Sequence, residues 1–259
     1  MRGTEWIGTS ENDRAVRNAI ASFLRVFDAR SLLIMVDKQQ HCSNLPATLK
    51  RSHCQGLEHC MSVEFAAPTM DCIFKTLVKH ASGDFVGYIN GDILIFEDFK
   101  RIISHASARH ASFLIVGRRR MLSPPPHIES QEAWATLLAE AQDMPFDSGT
   151  AIDYFVLRAT DGHKLGNIPP FIIGNWRWDN VLLSKLLQDG QIDVIDSSRT
   201  ITAVHQGVNM IERHEERPAS VYNDNLAKNF SISLGNVECA PTRMRYVWGI
   251  AIEVRRTRC

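Results

Sequence analysis

The stretch that most constrains the fold is residues 85–97, FVGYINGDILIFE, an apolar run that breaks at Asn90-Gly91-Asp92 and then resumes. A buried strand that stops on a carboxylate exposes a hard oxygen ligand at the strand end, where open α/β sheets bind their ligands. Gly91 permits a tight bend and a close approach of backbone to ligand. Asn-Gly is also a hairpin signal, so a simple turn between two antiparallel strands is the competing reading.

The rest of the chain alternates between helical and strand patterns. Residues 14–27 place Val16, Ala19, Ile20, Phe23 and Phe27 on one helical face. Residues 32–36 form a short apolar run ending at Asp37, which suits a buried parallel strand. Residues 62–65 offer a second strand, residues 69–80 a helix, and the Ser82-Gly83-Asp84 turn closes it. Beyond the break, residues 101–108 read as helix and 112–116 as a buried strand. Further on, 131–142 read as helix, 152–157 as strand, 180–187 as helix, and 192–195 and 201–204 as short strands. Strands separated by helices of this length predict βαβ crossovers and a mostly parallel, doubly wound sheet. Pro124-Pro125-Pro126 forces an extended connection and is the best candidate boundary. Residues 209–225 are polar, and 246–254 return as a final strand.

A chain of 259 residues can bury a substantial core in one α/β domain. Lys plus Arg equals Asp plus Glu, 29 each, so no basic excess argues for nucleic acid. The clusters Arg118-Arg119-Arg120 and Arg255, Arg256, Arg258 read first as solvated charge. No apolar run approaches the ~20 residues of a membrane span, and the first residues carry no secretory h-region. The expectation is therefore a cytoplasmic protein, or a secretory-pathway protein whose leading segment precedes this sequence. The six cysteines (Cys42, Cys54, Cys60, Cys72, Cys239 and Cys259) form no CxxC pair, and reduced thiols are expected. His41-Cys42, His53-Cys54 and His59-Cys60 invite a zinc reading, but their spacing departs from paired-ligand knuckles and favours a loop with incidental thiols.

Three further segments carry candidate chemistry. Asp179 follows Trp176-Arg177-Trp178 and precedes Asn180 at the start of an apolar helix. It is an N-cap in the bland reading. In the functional one it is a general base, its pKa raised by apolar walls, with the tryptophans available to stack on a sugar ring. His205 ends a short apolar strand before Gln206-Gly207, and imidazole with the Asp92 carboxylate suits Mn²⁺ better than either alone. Asp153 lies in an apolar run and needs a partner, for which Arg118 or Arg119 is available.

Taken in order, these segments resemble the GT-A class of nucleotide-sugar glycosyltransferases, in particular its divergent members with YINxDI, IDYF and WDN segments. The matching residues are Tyr88-Ile89-Asn90-Gly91-Asp92-Ile93, Gly117-Arg118-Arg119, Ile152-Asp153-Tyr154-Phe155, Pro170-Phe171-Ile172-Ile173-Gly174, Trp178-Asp179-Asn180 and Val204-His205-Gln206. The resemblance implies a Rossmann-like, mostly parallel GT-A sheet flanked by helices in a single domain with an acceptor-side extension. Residues 1–123 would be the nucleotide-sugar-binding half, 124–207 the acceptor-side half, and 208–259 a C-terminal extension. It implies transfer of a sugar from a nucleoside diphosphate to a glycan or other hydroxyl acceptor, assisted by Mn²⁺ or Mg²⁺. Asp92 and His205 would hold the metal and Asp179 would be the base. Asn90, Gly91, Arg118, Asp153, Trp176, Trp178 and Asn180 would contact donor or acceptor.

The chain departs from that pattern in three places. Asn90 replaces the first acid of the usual Asp-x-Asp, Ala66-Ala67-Pro68 stands where Gly-Thr-Pro is common, and only Trp6-Ile7-Gly8 stands for the first strand. The alternative is a catalytically inactive GT-A-like binding module.

Overall fold

The computed structural model describes residues 11–45, 49, 54–128, 130–207, 217–257 and 259. The expected first strand at Trp6-Ile7-Gly8 lies outside them, as do His53, Arg258 and residues 208–216. The architecture is α/β, with mixed sheets flanked by helices in one domain.

The central sheet has six strands: β3 (Phe85–Ile89), β5 (Phe113–Arg118), β7 (Ile152–Arg158), β8 (Asp193–Asp196), β10 (Thr242–Val247) and β11 (Ile250–Arg255). Their spatial order is β11-β10-β8-β5-β7-β3. Only the β10/β8 and β8/β5 pairs are parallel. The β5/β7, β7/β3 and β10/β11 pairs are antiparallel, so the mostly parallel sheet expected from the sequence gives way to a mixed one. The cause is β7, which runs against both neighbours. An apolar run buried on both faces carries no sign of its direction.

Alternate residues of these strands serve two cores. In β5, Leu114 and Val116 face α2 (Met70–His80) and α5 (Trp178–Asp189). Phe113 and Ile115 face α1 (Glu11–Val26) and α3 (Asp98–Ser107). β7 interleaves between β3 and β5, so strands from either side of the triple proline share one sheet.

Two smaller sheets complete the fold. β4 (Ile93–Ile95), β9 (Ala203–Gln206) and β6 (Arg120–Leu122) form one, in the order β4-β9-β6. It packs with Phe96 on α4 (Gln131–Asp143), where Phe96 and Trp134 stack at 4.5 Å. β1 (Ile34–Val36) and β2 (Cys54–Gly56) form a two-stranded parallel sheet. Residues 62–65 are a turn instead of a strand, with Ala66 at φ 49°. α6 (Pro218–Ala227) begins inside the polar stretch 209–225 and runs two residues past it. The expected final strand is a hairpin in which Trp248 and Gly249 both take positive φ (49° and 76°), as a two-residue primed turn requires.

The expectation of reduced thiols is overturned. Cys42–Cys54, Cys60–Cys72 and Cys239–Cys259 are disulfides, and among the described residues no cysteine is free. His59, Cys60 and Cys72 do cluster, but both sulfurs belong to one disulfide and are not thiolate ligands. Three disulfides are the pattern of an oxidising compartment and not of the reducing cytoplasm. Among the described residues no helix is long and apolar enough to cross a membrane.

Candidate functional site

The Asn90-Gly91-Asp92 break is not a hairpin. β3 pairs with β7 and β4 with β9, so the chain passes from the central sheet to the three-stranded one at this point. The Ile93 N–H closes the turn on the Asn90 carbonyl at 3.2 Å. This change of sheet brings β9 alongside. Ile93 is in register with His205, and the Gln206 N–H donates to the Asp92 carbonyl at 3.1 Å. The His205 Nε2 thereby lies 3.2 Å from the Asp92 Oδ2. Burial pulls the His205 pKa down, but the hydrogen bond and charge of Asp92 outweigh it and hold the imidazole above its ordinary value.

Asp153, near the start of β7, sits beside this pair. The Asn90 backbone N–H donates to the Asp153 carbonyl (3.0 Å), and the Asn90 Nδ2 to the Asp153 Oδ1 (2.5 Å). The other carboxylate oxygen receives Arg119, at 2.8 Å. Arg119 also binds Asp147 at 2.9 Å. Burial nonetheless raises the Asp153 pKa, with Arg119 opposing it and Asp92 adding to it.

Asp179 completes the group from the first turn of α5. Burial pushes its carboxyl up to about 7, the N–H groups of Asn180 and Ile152 pull it back, and the nearby Asp153 raises it. Tyr88, buried at the end of β3, feels all three carboxylates: burial first, then Asp153, Asp92 and Asp179 raise its phenol well above the usual range. Of the side chains read separately in the sequence, His205 contacts Asp92 and Asn90 contacts Asp153, while Asp179 acts on the same phenol through its charge alone.

Other expected site residues lie elsewhere. Arg118 reaches Glu238 at 3.4 Å and stacks over Phe146 at 4.5 Å, leaving Asp153 to Arg119. A β-bulge between Val116 and Arg118 shifts the alternation by one, which strict strand parity does not foresee. Gly117 sits in that bulge, where a Cβ would stand 1.9 Å from the Tyr154 hydroxyl. Trp178 is buried edge-on to Tyr88 (5.4 Å) and packs on Phe155 (5.7 Å), so it is a wall of the site and not a stacking surface. Asn180 is buried and donates to the Thr150 and Gly235 carbonyls, at 2.9 Å each, tying two loops to α5. Trp176 is partly exposed, with the Arg177 guanidinium 5.6 Å from its ring. Arg177 holds φ 86°, a strained position for a non-glycine residue, and pairs with Asp224 of α6 at 2.6 Å. The side chain of Asn223 binds Ile172 through both its oxygen and its nitrogen and the Trp176 carbonyl through its nitrogen, so α6 clamps the loop leading to Asp179.

Asp92 and His205 bring two ligand atoms together, and among the described residues no third His, Cys, Asp or Glu ligand atom joins them at close range. The Asp92 Oδ1 is buried and has no hydrogen-bond partner among the described residues, and neither has the His205 Nδ1. Asp92, Asp153 and Asp179 each raise the Tyr88 phenol by their charge, Arg119 offsets Asp153, and a cation taken up at Asp92 and His205 would have to displace the proton that Asp92 favours on the imidazole. No protein family, curated protein or solved structure matches this chain.

Proposed function

We propose that this chain is a metal-dependent glycosyltransferase of the GT-A type, moving a sugar from a nucleoside diphosphate to a hydroxyl acceptor. The observation that supports the reading is the contact of Asp92 with His205 at the sheet-to-sheet crossing, with Asp153 tied to the same turn through Asn90. Asp92 and His205 would hold Mn²⁺ or Mg²⁺, which when bound supplies charge to offset a diphosphate leaving group. Two protein ligands leave coordination positions for phosphate oxygens. Asp179, with its pKa near neutrality, is poised to accept a proton from an acceptor hydroxyl. Asp153, held by Arg119 and Asn90, orients the Asn90 side of the turn. The disulfides are consistent with an enzyme of the secretory pathway.

A second reading has its own support. The Asn90 amide is bonded to Asp153, so it does not stand in for the first acid of an Asp-x-Asp pair. A GT-A-like module that binds a glycan or partner without catalysis would tolerate that loss.

A thermal-shift screen of nucleoside diphosphates and their sugars, with and without Mn²⁺, separates the two. The transferase reading expects a rise in Tm with one nucleotide, dependent on metal and lost in Asp92→Ala, whose far-UV spectrum matches wild type. No shift with any nucleotide favours the inactive module. An unchanged metal-dependent shift in Asp92→Ala removes the metal assignment.

A further inference from the structure

β1 and β3 run beside one another without pairing: β1 bonds only β2, and β3 only β7. The space between them is a cleft of about 280 Å³, and a second cavity of about 600 Å³ shares Phe23, Leu32, Leu33, Met35, Tyr88 and Ile89 as wall residues. The wall of the first is aliphatic, built from one face of α1 (Val16, Ala19, Ile20), residues 32–36, Ile73, and Ile93 with Ile95. Its polar side chains among the described residues are Asp37, His41, Tyr88 and Asn90. Asp37 and His41 bond one another at 2.5 Å, and the Asn90 amide is bonded to Asp153. Among the described residues no lysine or arginine lines this first cleft, so they offer a phosphate no cation. The second cavity is more polar, bordered by Asp28, Arg30, Ser31 and His80, and gives a long ligand a way out to solvent.

From these walls we infer that the cleft seats the apolar chain of an amphiphilic acceptor, with its hydroxyl-bearing head at Asn90-Gly91, one residue from Asp92. This rests on the transferase reading and specifies its acceptor as a lipid alcohol. A mainly apolar slot bordered by polar groups at Asn90 suits a chain that is apolar throughout and polar at one tip. A nucleoside base would meet few donors and acceptors there.

The test is calorimetric titration with a series of linear alcohols from hexanol to decanol. Affinity should rise roughly fourfold per added methylene, the factor corresponding to about 0.8 kcal/mol each. Ala19→Phe, which fills the cleft from α1, should abolish decanol binding and leave the metal-dependent nucleotide shift intact. Asp92→Ala should do the reverse. If Ala19→Phe does not fold, the chain-length series on the wild-type protein decides alone. Affinity independent of chain length overturns the proposal. So does displacement of decanol by uridine or guanosine diphosphate in the absence of metal, which would make the cleft a nucleoside seat. Chain-length-dependent binding in a protein that gives no nucleotide shift overturns the acceptor role at its premise, while the cleft itself remains a lipid site.

Discussion

Asp179 shows how far one side chain's environment sets its chemistry. Its carboxyl is held at about 7 because burial disfavours the charged form and Asp153 repels it, against the pull of two backbone N–H groups. The folded protein therefore binds that proton more tightly than the unfolded chain. By linkage, stability falls as pH rises from the unfolded carboxylate range through about 7, and the loss is complete above it. Asp179→Asn removes this slope. We expect the variant to gain on wild type by on the order of 2 kcal/mol at pH 8, well below the full shift because the carboxyl is only partly buried. At pH 4 the two should melt alike. Denaturant unfolding at both pH values checks this, and equal differences at the two would remove Asp179 as the titrating group. Transfer activity, if Asp179 is the base, should rise with pH through the same region and vanish in the variant.

At the scale of elements, periodicity and composition were enough to locate α1 to α5 and most of the strands, but not α6, whose sequence reads as a polar stretch. The apolar runs at 32–36, 85–89, 112–116, 152–157 and 192–195 all became strands, and two pairs of candidate residues are in contact, Asp92 with His205 and Asn90 with Asp153. Strand direction was not legible, because a strand buried on both faces looks the same either way round. Nor was the partner of Asp153, because the bulge beside Gly117 turns Arg118 towards Glu238 and Arg119 inward. That bulge is a specific requirement. The Tyr154 side chain is fully buried, so its hydroxyl cannot retreat from a new methyl group at position 117. Gly117→Ala should cost about 1–3 kcal/mol through overpacking. It should also disturb the Arg119–Asp153 pair, visible as weaker metal-dependent nucleotide binding beyond the change in Tm. A variant as stable as wild type would mean that β5 absorbs the methyl by sliding.

At the scale of the whole molecule, two of the three disulfides fall where the sheet ladders are weakest. β1 and β2 are three residues each and pair with no strand of the central sheet, so their own ladder is marginal. Cys42–Cys54 ties β2 to the turn after β1, and Cys60–Cys72 ties the following loop to the first turn of α2. Each closes a loop of 12 residues, and closures of this size contribute roughly 3 kcal/mol in the chain-entropy account. β5 and β7, by contrast, lie inside a six-stranded sheet covered on both faces, and owe nothing to a cross-link. Reduction should therefore act locally before it acts globally. With dithiothreitol below the melting temperature, the backbone amides of β1 and β2 should lose protection from hydrogen exchange while those of β5 and β7 keep theirs. Because β1 is one wall of the apolar cleft, decanol binding should fall in step with that local loss. Uniform loss of protection across all four strands would show instead that the β1–β2 unit and the central sheet unfold together, as one cooperative body.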